Sequence, residues 1–227
     1  MRIIFVRHGH PDYANDCLTE LGHKQAEMAA QRLKGEGIEE IFSSSMGRAY
    51  ETALHTAKPL GLDVNKLDFI REIKWGSQSG EELYNDGHPW DTSIYAIKNG
   101  YNLMDEEWIK DKRFLDNKVF SEIERIGKQA DEWLLTLGYE REGTSYRVVG
   151  DNTDKTIALF SHGGSSTALF SHLFNLPFFF LCGTLCPDFT AITVLRLSDE
   201  KGQLTVPLIE IANDSRHIDS TDISYEM

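Results

Sequence analysis

Apolar positions along this chain fall into two rhythms. Short apolar pieces at Ile3-Ile4-Phe5-Val6, Ile38 to Phe42 and Thr156-Ile157-Ala158-Leu159-Phe160 read as buried strands. Other stretches place apolar residues at steps of three and four, the repeat of one helix face. Leu21, Ala26, Met28, Ala29 and Leu33 do so after Thr19, a suitable N-cap, and Gly35 and Gly37 close that helix. Met46, Ala49, Ala53, Ala57 and Leu60 do so after Ser43-Ser44-Ser45, which reads as a polar turn whose serines can cap the helix. The clearest stripe is Phe120, Ile123, Ile126, Ala130, Trp133, Leu134 and Leu137, ended by Gly138.

The strand at 156–160 breaks into Ser161-His162-Gly163-Gly164 and a helix through Leu169, Phe170, Leu173 and Phe174. Weaker pieces are an edge segment from Leu67 to Arg71 and a small strand at Tyr146-Arg147-Val148-Val149 within the polar stretch 140–155. Two last strands, Ala191 to Leu197 and Leu204 to Ala212, are joined by a turn at Asp199 to Gly202. The polar tail after Asn213 is expected to be loosely held. Strand and helix alternating in this way predict an α/β fold: a three-layer sandwich whose mostly parallel central sheet is covered by helices on both faces. A length of 227 residues suits one domain, 1–227, without independent cores.

From about residue 73 to 114 the periodicity loosens. Polar turns at Asn85-Asp86-Gly87 and Asn99-Gly100 interrupt it, yet three of the four tryptophans, Trp75, Trp90 and Trp108, lie here. A linker would be poor in aromatics, so this reads as an inserted cap. The plainer alternative is a satellite hydrophobic cluster with no substrate role.

Charge changes the picture by exclusion. With 23 basic against 36 acidic residues the formal net charge is −13, which argues against a nucleic-acid partner. A few clustered cations could still hold a small anionic substrate. The apolar run after Arg2 is too short for a signal peptide, and Leu176 to Cys182 is too short to span a bilayer, so no membrane partner is expected. Cys17, Cys182 and Cys186 are too few and odd in number for a disulfide framework, and no partner pair sits at a metal-ligand spacing. They read as reduced thiols of a cytoplasmic protein.

Candidate chemistry then concentrates at strand ends. Two buried strands end in His followed by Gly: Val6-Arg7-His8-Gly9 and Phe160-Ser161-His162-Gly163. In a parallel sheet both ends open on one side, where open α/β sheets bind ligands. Arg48, opening a helix after a third strand, would lie on the same edge. Arginine suits phosphate because its planar fork bonds two oxygens at once. His8 is thereby a candidate phosphate-accepting nucleophile; the plain alternative is a strand that ends in polar residues. The other histidines, His23, His55, His88, His172 and His217, read as surface or packing residues.

Further fragments join these in a fixed order: Leu18-Thr19-Glu20-Leu21-Gly22 with Gln25-Ala26, Ser43-Ser44-Ser45-Met46-Gly47-Arg48-Ala49 with Thr52-Ala53, and Glu72 followed four residues on by Gly76. Across about residues 1–80 and 155–197 the set resembles the histidine phosphatase superfamily, in the branch that includes cofactor-dependent phosphoglycerate mutases and fructose-2,6-bisphosphatase. The resemblance implies that His8 attacks phosphorus and becomes a phosphohistidine. Arg7, Arg48 and His162 would hold the phosphoryl oxygens, with Asn15 as a loop residue that in relatives touches the phosphate. Glu72 would protonate the leaving oxygen and later activate water, unless it merely pairs with Arg71 or Lys74. No metal and no cofactor are implied, since the arginines supply positive charge.

Two departures bear on substrate. Many relatives carry Glu or Gln after the glycine, where this chain has His10, either a third imidazole in the pocket wall or a neighbour of it. The mutases carry adjacent arginines in the cap region, where this chain has Lys110, Lys112 and Arg113. A phosphomonoesterase acting on a small phosphorylated metabolite is therefore expected ahead of a mutase. A phosphate-binding protein without turnover is a third reading. Phe178-Phe179-Phe180 is either core or a subunit contact, which leaves a homodimer open.

Overall fold

A run such as Ile3-Ile4-Phe5-Val6 sends alternate side chains to opposite faces, so it is stable only inside a sheet covered on both sides. The computed structural model, which describes residues 1–218, has this arrangement. Strand β1 (Arg2–Arg7) is followed by β2 (Pro11–Asp12), β3 (Cys17–Leu18), α1 (Glu20–Leu33), β4 (Ile38–Ser44), α2 (Gly47–Leu60) and β5 (Val64–Leu67). Then come α3 (Pro89–Lys98), α4 (Lys112–Leu115), α5 (Val119–Thr136), β6 (Tyr139–Glu142), β7 (Ser145–Val148) and β8 (Thr156–Ser161). Helices α6 (Gly163–Phe174) and α7 (Phe178–Thr184) precede β9 (Ile192–Arg196), β10 (Leu204–Thr205) and β11 (Leu208–Asp214).

The main sheet has the order β11-β9-β1-β8-β4-β5. β1, β8, β4 and β5 pair in parallel, while β9 runs against both β1 and β11. Odd and even positions of the central strands separate into two cores. Ile4, Val6, Ala158 and Phe160 pack with Leu33 of α1 and with Ala53 and Ala57 of α2. Ile3, Phe5, Ile157 and Leu159 pack with Ile126 and Leu134 of α5 and with Leu169 and Phe170 of α6. Phe5 and Phe170 meet edge to face at 5.0 Å. Each such side chain fully buried contributes roughly 1.5–3 kcal/mol, which is why the sheet stays sandwiched between its two helical layers.

Several expected boundaries move. β4 continues through Ser43 and Ser44, both fully buried, so these serines are strand residues and not a turn. The expected edge segment at 67–71 is a 3-10 turn over Asp68–Ile70, and the edge strand precedes it as β5. The expected strand 204–212 is broken at Pro207: β10 joins β7 and β6 in a separate three-stranded sheet, whereas β11 pairs with β9. Proline lacks the N–H a continuous ladder needs. Within the tail expected to be loose, Arg216 bonds Asp214, the Ser215 hydroxyl donates to Asp188, and Ile218 is buried. The remainder, 219–227, lies outside the described residues.

The loosely periodic region closes on itself at its base. Lys118 N–H donates to Gly76 O at 2.9 Å, Gly76 N–H donates to Asn117 Oδ1, and Asn117 Nδ2 donates to Gly87 O. Its aromatics dock on α7, where Trp108 meets Phe179 at 5.4 Å and the Ser93 hydroxyl donates to Phe179 O. Phe178 and Phe179 are core residues. Among the described residues no single helix is long and apolar enough to cross a membrane.

Candidate active site

The C-terminal ends of β1 and β8 lie side by side, Arg7 opposite Ser161, and each chain turns away at a His-Gly pair. His8 N–H donates to Ser161 O at 2.9 Å, which fixes the backbone of one histidine to the strand that carries the other. Gly9 is required by close approach, since a Cβ there would lie 2.5 Å from Gly22 O. The Gly9 N–H in turn donates to the Thr52 hydroxyl of α2 at 3.1 Å.

His8 is 1% exposed, and its Nδ1 lies 2.7 Å from Gly9 O. A carbonyl can only accept, so Nδ1 carries the hydrogen and Nε2 bears the lone pair. Nε2 faces Arg48, whose Nε lies 3.3 Å away, and the imidazole of His162, with ring centroids 5.1 Å apart. Burial first, then the neighbouring His162 and Arg7 charges, hold the His8 imidazole well below its usual pKa range. The shift favours the neutral ring.

Arg48 is almost fully buried in the first turn of α2. Its Nη1 donates to Asp16 Oδ1 at 2.5 Å, while Asp16 Oδ2 accepts from Gly47 N–H at 2.7 Å. One carboxylate thus both caps α2 and aims the arginine, in place of the serines expected to cap it. Asp16 adopts φ 49°, a left-handed conformation that aspartate tolerates.

Arg7 Nη1 donates to Pro187 O at 2.5 Å, and its guanidinium lies 4.3 Å from the Phe189 ring centroid. The same ring contacts His8 at 5.8 Å and His10 at 5.4 Å. His162 precedes α6 and is wholly buried, with Nε2 2.8 Å from the Ser44 hydroxyl. Burial, then Arg48 and Arg7, push its pKa well down. Arg7 Nε, His162 Nδ1 and the Ser165 hydroxyl are buried without a hydrogen-bond partner. Buried polar groups are rarely left so, and three at one strand edge suit an oxyanion ligand.

Glu72 reaches this edge from the segment after β5. Oε1 accepts from Ile73 N–H at 3.0 Å and Ser165 N–H at 2.8 Å, and Oε2 accepts from Gly164 N–H at 3.3 Å. Burial raises its pKa against the opposing pull of those backbone donors and of Arg7. Arg71 pairs with Asp68 instead, so the simple ion-pair reading of Glu72 is not the arrangement present.

The structure thus gathers Arg7, His8, Arg48, Glu72 and His162. Asn15 stays exposed, its amide donating to Asp12 Oδ2 at 2.8 Å. The loop meets the cluster through Asp16 and through Tyr13, whose ring lies 5.5 Å from the Arg48 guanidinium. His10 holds Thr19 Oγ1 at 2.9 Å through Nδ1 and lies beside the pocket against Phe189. Asp16, Ser44 and Phe189 were missed by sequence reasoning, because nothing local marks a residue whose partner arrives from another element. A hollow of about 1020 Å³, lined by Asp131 and His172 among others, contains none of the cluster. Its Asp131–His172–Tyr146 network is internally hydrogen-bonded.

A mostly parallel sheet with two histidines and two arginines gathered at one edge suits a phosphoryl-handling α/β protein. The model of the histidine phosphatase superfamily (branch 1) matches residues 3–132, and the chain belongs to that family. A probable phosphoglycerate mutase of Photorhabdus laumondii is 26% identical over 186 residues, covering 78% of this chain and 76% of that protein. Phosphoserine phosphatase 1 of Hydrogenobacter thermophilus is 37% identical over 89 residues, 35% of this chain and 42% of that one. Among solved structures, a mycobacterial glucosyl-3-phosphoglycerate phosphatase with inorganic phosphate superposes with TM-score 0.64 at 24% identity, covering 96% of this chain and 99% of the other. A phosphoserine phosphatase of Entamoeba histolytica in complex with 3-phosphoglyceric acid superposes with TM-score 0.63 at 21% identity, covering 95% and 98%. The family and these named relatives support a phosphatase or mutase.

Proposed function

We propose that this protein is a metal-independent phosphomonoesterase that works through a phosphohistidine on His8 and acts on a small phosphorylated metabolite. The observation that carries the reading is the His8 ring: Nδ1–H is held by Gly9 O, so the Nε2 lone pair faces the arginine cluster. A substrate phosphoryl group takes the Arg48 Nε–H, the Arg7 Nε–H and the His162 Nδ1–H onto its oxygens, which frees the His8 lone pair for in-line attack. The Nε2–P bond forms as the ester P–O bond breaks, and protonated Glu72 gives its proton to the leaving oxygen. Glu72, now a carboxylate, takes a proton from water as it attacks phosphorus; the Nε2–P bond breaks, the lone pair returns to His8 and inorganic phosphate leaves. The two guanidinium groups supply the charge that a metal provides in other hydrolases.

Replacing His8 with Ala is expected to abolish turnover of p-nitrophenyl phosphate, and rapid quenching of wild type should trap an acid-labile phosphoenzyme. Excess chelator should leave the wild-type rate unchanged. Full activity of His8→Ala, or a chelator-sensitive rate, would sink the proposal.

Mutase activity is the second reading, favoured by the Photorhabdus relative. Against it, the cap cations are held locally. Arg113 bonds Asp111, Tyr95 and Tyr101, and Lys110 bonds Glu107. Isomerisation dependent on a bisphosphate primer separates the two. The free thiols Cys17, Cys182 and Cys186 fit a reducing, cytoplasmic setting.

A further inference from the structure

The proposed reaction leaves six histidines unused, and two of them face each other across the α1–α2 pair. His23, in the first turn of α1, and His55, inside α2, bring Nδ1 and Nε2 to 3.1 Å, with ring centroids 5.4 Å apart. Both rings border a surface hollow of about 250 Å³ shared with Glu51, Leu54 and Lys58. We propose that His23 Nδ1 and His55 Nε2 form a two-histidine chelate for a divalent transition-metal ion of the zinc, nickel or copper class.

Geometry is the first support. Zinc–imidazole bonds of about 2.0–2.1 Å place two adjacent ligand nitrogens roughly 2.9–3.4 Å apart, for angles between square and tetrahedral. The observed 3.1 Å falls inside that range, so the two nitrogens already stand at ligand spacing and the rings need only turn their lone pairs from the N···N line toward the ion. Each helix already holds its backbone in place, so little chain entropy is lost on binding.

Chemistry is the second support. Imidazole suits zinc, nickel and copper, and it must be neutral to ligate. In the present pair one ring donates a hydrogen to the other. On binding, that ring shifts its hydrogen to its far nitrogen, so neutral rings release no proton. Glu27 and Glu51 face His55 with negative charge and Lys58 with positive. Glu51 Oε2 accepts from Leu18 N–H, and among the described residues no third ligand gathers with the pair. Solvent therefore completes the coordination, and the chelate is open.

The position has a mechanical consequence. His23 follows Gly22, whose carbonyl presses on Gly9, and His55 lies one turn beyond Thr52, whose hydroxyl accepts the Gly9 N–H. A bound ion ties together the two helices that grip the His8-Gly9 turn. It stabilises that turn without taking part in phosphoryl transfer.

Isothermal titration of the full chain with zinc chloride tests this. Wild type is expected to bind at a single saturable site, with a matching rise in melting temperature. His55→Ala and, separately, His23→Gln should weaken binding about tenfold or more. Their metal-free melting temperatures should stay near wild type, because both rings lie at the surface. His8→Ala should bind zinc as wild type does, which separates this site from the paired imidazoles of the phosphate cluster. Undiminished binding in His55→Ala, absence of saturable binding in wild type, or loss of binding in His8→Ala would each overturn the proposal.

Discussion

Burial acts with opposite sign on the two groups that exchange bonds and protons in the proposed reaction, His8 and Glu72. Removing water disfavours charge, so it pushes the His8 imidazole down and the Glu72 carboxyl up. Burial thus shifts both groups toward their uncharged forms, the imidazole toward a free lone pair and the carboxyl toward holding a proton. Glu72→Gln keeps the shape and removes that proton. Turnover of alkyl phosphates is expected to fall about 10²–10⁴-fold, the usual worth of a positioned acid–base group. With p-nitrophenyl phosphate, whose leaving group needs little protonation, stopped-flow measurement should show a burst of product followed by slow hydrolysis. Equal loss on both substrates with no burst would mark Glu72 as merely structural.

At the level of elements, the N-terminus of α6 decides where Glu72 sits. The first turn offers the Gly164 and Ser165 N–H groups, and the carboxyl can reach them only because position 164 lacks a Cβ. A Cβ there would lie 2.7 Å from Glu72 Oε1 and 2.5 Å from Ile73 Cγ1. Gly164→Ala should therefore displace Glu72, reproduce the kinetics of Glu72→Gln and destabilise the fold by about 1–3 kcal/mol through overpacking. Gly163→Ala is the control: its Cβ would meet Arg7 Nε at 3.5 Å, an ordinary contact. Urea unfolding and steady-state rates on both variants check the order, and a milder Gly164→Ala would refute the packing argument.

For the whole molecule, the buried titratable groups set how stability follows pH. His8 and His162 have folded pKa values well below their ordinary 6.5. As pH falls below that value the unfolded chain takes up protons that the folded chain refuses. Their contribution is thus complete above pH 6.5 and lost as pH drops toward the folded values. Glu72 works the other way. Its folded pKa lies above the ordinary 4.5, so its contribution is complete below that value and is lost as pH rises through the folded one. Calorimetry should find the melting temperature falling on mild acidification. At neutral pH, Glu72→Gln should melt higher than wild type while being less active. A variant that melts lower at neutral pH would contradict the assigned direction.

By itself the sequence determined the α/β class, the central strands β1, β4 and β8, the helices α1, α2, α5 and α6, and four of the residues that gather at one sheet edge, Arg7, His8, Arg48 and His162; Glu72 was pointed to only through the resemblance of its motif to the family. These are legible because periodicity and strand ends are local properties, and because parallel strands point their ends the same way. Tertiary structure alone decided that Asp16 holds Arg48, that Phe189 underlies Arg7 and His8, and that Ser44 holds His162. It also decided that β10 and β11 belong to different sheets and that His23 meets His55. Each of these depends on a contact between residues distant in the chain, and no pattern of nearest neighbours encodes which partner arrives. Strand ends announced the phosphate chemistry; long-range packing supplied the aim.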